Sequence, residues 1–139
     1  MVSVSRVLWV WLALWGGVNG AMANSLKPCP DRPNCVSTLQ GGEQSLPPLR
    51  YQGDKSKAKS DLLRVVRSLA HMQIIEDKGD YLHVTVTSAI FKFVDDVEFL
   101  IEDSHKVIHV RSASRTGYSD FGVNRRRVEK IQRLFAALQ

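Results

Sequence analysis

At residues 81–88 the chain reads YLHVTVTS, an alternation of apolar and polar side chains. Leu82, Val84 and Val86 fall on one face of a strand with this period of two, and the polar residues fall on the other. The same alternation returns at residues 96–102 and 106–113, and a shorter stretch at 72–76 precedes a turn at 77–80. Four strands joined by short turns, each with one apolar face, predict an antiparallel meander that covers a core on one side only.

Two stretches with helical spacing flank this meander. The first runs from a cap at Asp54 or Ser56 to about Ala70, and the second from about Gly122 to Leu138. The apolar stripes of the two helices are Ala58, Leu62, Val65, Val66 and Leu69, and then Val128, Ile131, Leu134, Phe135 and Leu138. With a short first strand at 49–52, this order predicts an α+β two-layer sandwich whose two helices share one face of a mainly antiparallel sheet. We expect Val, Ile, Leu and the five Phe residues to form the core.

The first 23 residues have the pattern of a secretory signal peptide. Arg6 precedes an apolar run at 7–18, which is followed by Asn19 and Gly20 and by the cleavage pattern at 21–23. The run is shorter than the roughly 20 residues that span a bilayer. We therefore expect cleavage after Ala23 and export to the periplasm. The alternative is an uncleaved anchor, since three Trp residues in this segment would suit a membrane interface.

Residues 24–50 are rich in Pro and Gly and predict a loop-rich arm that precedes a single α+β domain at 51–139. The arm holds both cysteines, Cys29 and Cys35. An even pair in an exported chain predicts a disulfide. The alternative, a redox or metal site, is disfavoured because the spacing differs from that of a redox motif and no histidine is near in sequence.

The charge balance argues against nucleic acid as a partner. Arg6 is the only charged residue before position 24, so the remainder has 18 basic and 14 acidic residues and a net charge of +4. This mild excess is typical of a soluble surface, whereas nucleic-acid binding needs clustered charge with stacking aromatic residues. No later segment is apolar enough to span a membrane, and no motif calls for a cofactor.

A polar segment joins the last strand to the last helix, and it reads RSASRTGYSDFGVNRRRVE at residues 111–129. Together with FVDDVEF at 93–99 and PNCVS at 33–37, it resembles a bacterial family of small exported proteins that is classed as a domain of unknown function. The resemblance covers nearly the whole chain after residue 23. It implies a single exported domain of this architecture, and it implies no activity, catalytic residue or cofactor.

The arginines of this segment have two interpretations. Cations in the first turns of a helix oppose its macrodipole, so Arg125, Arg126 and Arg127 need compensation. The first interpretation is an internal lock, in which arginine side chains bind the carboxylates Asp95, Asp96 and Glu98, and Asp120 is placed to cap the helix. The second is a site for a small anion such as phosphate at the start of the helix. The residues of this anion site would be Arg111, Ser114, Arg115, Tyr118, Ser119, Asn124, Arg125 and Arg126.

Catalytic and metal sites have weaker support in the sequence. His105 and His109 lie about 13 Å apart if they share a strand, and His83 and His109 lie on separate strands, so we predict no metal site. No nucleophile elbow or phosphate loop is present. We therefore expect a non-enzymatic binding domain for a small anion, an envelope component or a protein. The alternative is an envelope hydrolase that uses Ser114 or Ser119 with Asp120 and Arg115.

Overall fold

The computed structural model describes residues 25–139, and the predicted signal peptide lies outside them. Its elements in chain order are β1 (Cys35–Ser37), a 3₁₀ turn (Gly42–Gln44), β2 (Leu49–Arg50), α1 (Lys55–Ser68), β3 (Met72–Lys78), β4 (Tyr81–Thr87), β5 (Val94–Glu102), β6 (Val107–Ser114) and α2 (Val123–Ala136). In this part of the chain no helix is long and apolar enough to cross a bilayer.

The strands form one open antiparallel sheet in the order β1-β6-β5-β4-β3, with β2 also paired to β6. The predicted meander is therefore confirmed as β3 to β6. β3 extends two residues beyond its predicted end and carries a bulge between Ile74 and Glu76. The strand predicted at 49–52 is shorter, since β2 ends at Arg50, although the N–H of Tyr51 still donates across to the carbonyl of Lys106 (3.0 Å).

The core lies between the sheet and the two helices, so the two-layer α+β prediction is confirmed. Leu82 and Val84 of the sheet are buried in the same cluster as Leu62 of α1 and Val128 of α2. Asp54 caps α1, since its Oδ1 accepts a hydrogen bond from the N–H of Lys57 (2.8 Å). Leu134 was predicted in the buried stripe of α2, but it is 37 % exposed because the face of α2 that meets the sheet is centred on Val128, Ile131 and Phe135.

The expectation that all five Phe residues form the core is wrong. Phe99 and Phe135 are buried, whereas Phe91, Phe93 and Phe121 are exposed in two loops. These three residues lie outside the alternating strands and the helical stripe, so no core position is available to them.

The predicted disulfide between Cys29 and Cys35 is present, and its Cα atoms are 5.7 Å apart. It lies at the start of β1, a strand that the sequence analysis did not predict. β1 pairs Cys35 with Ala113 and Val36 with Ser112. The arm therefore lies against β6, and it also contributes Leu46 to the core.

Candidate functional site

The polar segment begins on the face of the sheet that points away from the helices. Arg115 binds Asp96 with both ends of its fork, Nε to Oδ2 (2.8 Å) and Nη2 to Oδ1 (2.9 Å). His83 lies on the neighbouring strand β4, and its Nε2 is 2.7 Å from Oδ1 of Asp96. The hydrogen bonds from Arg115, more than those from His83, lower the pKa of Asp96 against the opposing effect of burial.

A second group on this face is centred on Glu98. Arg111 lies directly opposite it on β6 and donates from Nη1 to Oε1 (3.2 Å), while the hydroxyl of Tyr81 donates to Oε2 (2.7 Å). Burial, and then the nearby Glu98 carboxylate, raise the pKa of Tyr81. Arg111 Nε is buried and has no hydrogen-bond partner among residues 25–139. The group is thus an interlocked set of side chains with little access to solvent.

The helix-facing side of the same strands holds a buried network around Asn124, which is fully buried. Its side-chain amide donates to the carbonyl of Asn34 (3.2 Å), to Ser114 Oγ (2.9 Å) and to Asp120 Oδ2 (2.7 Å). Its Oδ1 accepts hydrogen bonds from Ser112 Oγ (2.6 Å) and from Arg127 Nη1 (2.7 Å). One side chain therefore joins the arm, β6 and the start of α2.

Arg127 completes this network through an ion pair with Asp95, in which Nη2 lies 2.6 Å from Oδ2. Both side chains are 12 % exposed. The sequence analysis named Asp95 as a partner of the arginines and Arg127 as a cation that needs compensation, but it did not pair these two residues. The pairing follows from the strand period, because Asp95 lies two residues before the buried Val97 and thus shares its face.

The other charged groups at the start of α2 also have partners within the chain. Asp120 accepts hydrogen bonds from the N–H groups of Gly122 (2.8 Å) and Asn124 (2.9 Å). Burial opposes ionisation of Asp120, but these hydrogen bonds outweigh it and lower the pKa. Arg125 Nη2 donates to the backbone carbonyls of Glu43 and Ser45, and Arg126 Nη1 donates to that of Phe121 (2.8 Å). Carbonyl oxygens thus compensate two of the cations that oppose the helix dipole.

A cleft of about 480 Å³ lies between the disulfide-bonded arm and the start of α2. Arg32, Tyr118 and Arg125 line it, and so do Asp31 and Glu43. The cleft therefore carries charges of both signs. Of the residues proposed for an anion site, only Tyr118 and Arg125 line it.

Exposed apolar side chains gather at the end of the sheet where β4 ends and β5 begins. The loop between these strands exposes Ile90 (83 %), Phe91 (75 %) and Phe93 (59 %), and the loop after β6 exposes Tyr118 (70 %) and Phe121 (88 %). We call these five residues the aromatic end. The first loop ends beside the start of the second, since the N–H of Arg115 donates to the carbonyl of Val94 (3.1 Å). The rings of Phe91 and Phe93 stack with centroids 5.7 Å apart.

The structure distributes the predicted site residues over separate places. Arg111 and Arg115 lie on the outer face, Ser114 and Asn124 lie in the buried network, and the Ser119 hydroxyl accepts a hydrogen bond from the N–H of Phe121 (3.3 Å). Ser114 and Arg115 therefore point to opposite sides of the sheet and do not converge on one ligand. The sequence analysis named Tyr118 as an anion-site residue but missed the other four residues of the aromatic end, although its Phe residues fall outside every buried pattern of the sequence.

The histidines of the meander have carboxylate partners. His109 Nε2 lies 2.6 Å from Glu102 Oε2, and His105 contacts the other oxygen of Glu102. Within residues 25–139 no group of three or more His, Cys, Asp or Glu side chains is placed to hold a metal ion.

Comparison with known proteins identifies the family but no activity. No curated protein matches the chain. The model of a family described as "Protein of unknown function (DUF1499)" matches residues 25–135, which include the arm, the whole sheet and nearly all of α2. The chain therefore belongs to the DUF1499 family.

Proposed function

We propose that this chain is an exported protein that works by binding, and that it docks onto another component of the bacterial envelope through its aromatic end. The observation that carries the proposal is the exposure of five large apolar side chains in two adjacent loops. Single exposed apolar residues are ordinary, but a patch of them on a soluble domain marks an interaction surface. Export is supported by the leader at residues 1–23.

The backbone at the aromatic end supports this interpretation. Phe121 has a φ of 53°, in the left-handed region, and Gly122 follows with a φ of 79°. This region costs a residue with a side chain about 1–2 kcal/mol. Local strain of this kind is frequent at functional sites, and here it presents a ring to solvent rather than to the core.

Binding is a better proposal than catalysis for the described residues. Ser114 is hydrogen-bonded to Asn124 on the helix side of the sheet, whereas Arg115 is paired with Asp96 on the other side. A hydrolase needs a nucleophile beside an oriented base, and this arrangement does not supply one from the candidate residues. A small free anion is also a weaker candidate, because Arg115 already binds a carboxylate and the cleft at Arg125 carries acidic residues as well.

The test is the distribution of the protein in cells that express the full chain. We expect the wild-type protein to stay with the membrane fraction after osmotic shock, and the double variant Phe91→Ser/Phe121→Ser to be released. The matched control is Leu39→Ser/Ile75→Ser, which removes two exposed apolar residues that are 56 % and 51 % exposed and lie outside the two loops. Identical distribution of all three proteins would contradict the proposal.

A further inference from the structure

We infer that the component bound by the aromatic end is the surface of an anionic phospholipid bilayer. This inference rests on the proposed docking function and names its partner. A segment that lies in a bilayer interface combines aromatic side chains with nearby basic residues. The aromatic end has this combination, since the exposed rings of Phe91 and Phe93 flank the exposed Lys92.

Three apolar side chains of the aromatic end are almost fully exposed to solvent. The side chains of Ile90, Phe91 and Phe121 are at least three-quarters exposed, so they project from the domain with solvent on nearly every side. A folded protein partner would have to offer a deep pocket to each of them in order to bury that surface. The acyl and headgroup boundary of a bilayer can surround a projecting ring without a preformed pocket, because lipids rearrange around it.

Basic side chains lie next to the exposed rings of the aromatic end. Lys92 lies between Phe91 and Phe93 and is exposed. Arg126 follows the second loop, is exposed, and donates to the carbonyl of Phe121 rather than to a carboxylate. The acidic residue within the two loops at 88–93 and 115–122 is Asp120, whose oxygens accept hydrogen bonds from backbone N–H groups and from Asn124. Lys92 and Arg126 therefore carry positive charge beside the exposed rings and have no carboxylate partner among residues 25–139, which suits anionic headgroups.

The opposite end of the sheet gives the contrast. The turns between β3 and β4 and between β5 and β6 carry Asp80 and Asp103, and each is paired with a lysine. Glu102 at the end of β5 contacts two histidines. No aromatic or aliphatic side chain of these two described turns is among the exposed large apolar residues. Of the two ends of the sheet, only the aromatic end thus projects large apolar side chains from its described turns, as expected of a domain that approaches a membrane in one orientation.

The experiment measures binding to sedimentable lipid vesicles. The protein is expressed as the full chain, and intact mass shows that all variants share the same N-terminus. We expect binding to vesicles that contain about 30 % phosphatidylglycerol to be at least tenfold tighter than binding to pure phosphatidylcholine vesicles. Phe91→Ser/Phe121→Ser should weaken that binding at least tenfold, and Lys92→Gln should weaken it about fivefold at low salt. Ile75→Ser is the matched control and should bind like the wild type.

The outcomes separate the inference from the proposed function. If membrane retention in cells depends on Phe91 and Phe121 but the protein does not bind anionic vesicles, the bilayer inference is overturned and docking onto another partner stands. Equal binding to charged and neutral vesicles also overturns it, since the charge argument then fails. If neither cell retention nor vesicle binding depends on the two Phe residues, both the inference and the proposed function are wrong.

Discussion

Replacing Arg127 by methionine tests whether the buried network holds the last helix on the sheet. The change keeps most of the apolar volume but leaves Asp95 without the only side-chain partner that the described residues give it. Removing one member of a buried ion pair costs about 3–5 kcal/mol, because the remaining charge is left in a poorly hydrated site. The pair is 12 % exposed, so we expect the lower part of that range, about 3 kcal/mol.

Urea denaturation at neutral pH measures this loss as a shift of the midpoint at constant slope. In a thermal melt it corresponds to a fall in Tm of about 12 °C, at roughly 4 °C per kcal/mol for a domain of this size. Arg126→Met is the matched control. Arg126 is the residue before Arg127, its guanidinium is exposed, and that group donates to a backbone carbonyl rather than to a carboxylate. That variant should stay within about 0.5 kcal/mol of the wild type.

A double variant tests the same ion pair by adding Asp95→Asn to Arg127→Met. It removes the stranded charge, so it should recover at least about 1 kcal/mol of the lost stability. A loss below about 1 kcal/mol for Arg127→Met, or no recovery in the double variant, would refute the argument that this ion pair locks α2 to β5.

The remaining predictions concern the leader, the disulfide and one ion pair. If cleavage occurs after Ala23, the exported protein loses all three Trp residues and its emission spectrum should lack tryptophan fluorescence; tryptophan emission would show a retained leader. Replacing Cys29 and Cys35 by alanine should lower the free energy of unfolding by about 1–2 kcal/mol in urea titrations, because the loop is short and already stiffened by two prolines. The pKa of Asp96 is lowered in the folded state, so its ionised carboxylate stabilises the fold at pH values above the ordinary carboxyl range. This stabilisation is lost as the pH falls through the folded-state pKa. Stability should therefore fall as the pH drops through and below the ordinary carboxyl range, and Arg115→Gln should flatten that slope; an unchanged slope would contradict the assignment.

The meander was predictable because each of its strands has an apolar face with a period of two, and a shift by one residue would expose that face. β1 was not predictable, since it has only three residues and its partner Ala113 lies 78 positions further along the chain. Its local sequence, with prolines close before it, is typical of a loop. Only the paired strand β6 makes it extended.

The candidate site was predictable in its residue types but not in its partners. Three successive arginines on a helix point in three directions, so their contacts depend on how the helix is rotated about its axis. That rotation is set by the burial of Val128 and Phe135, and it directs Arg127 toward the sheet. The aromatic end was missed for a different reason: composition treats every Phe as a core residue, whereas only position in a periodic pattern makes it one.

The pairing of β1 with β6 has a consequence for the order in which the molecule assembles. The arm precedes β6 in the chain, and its disulfide loop can close by itself because Cys29 and Cys35 are only six positions apart. Its place in the sheet does not exist until β6 has been made, and the carbonyl of Asn34 receives its second hydrogen bond only from Asn124 of the final helix. Contacts so distant in sequence form late and slow the folding of the chain. We therefore expect the cross-linked arm to join the sheet after the meander has formed, with Asn124 of α2 then securing β1.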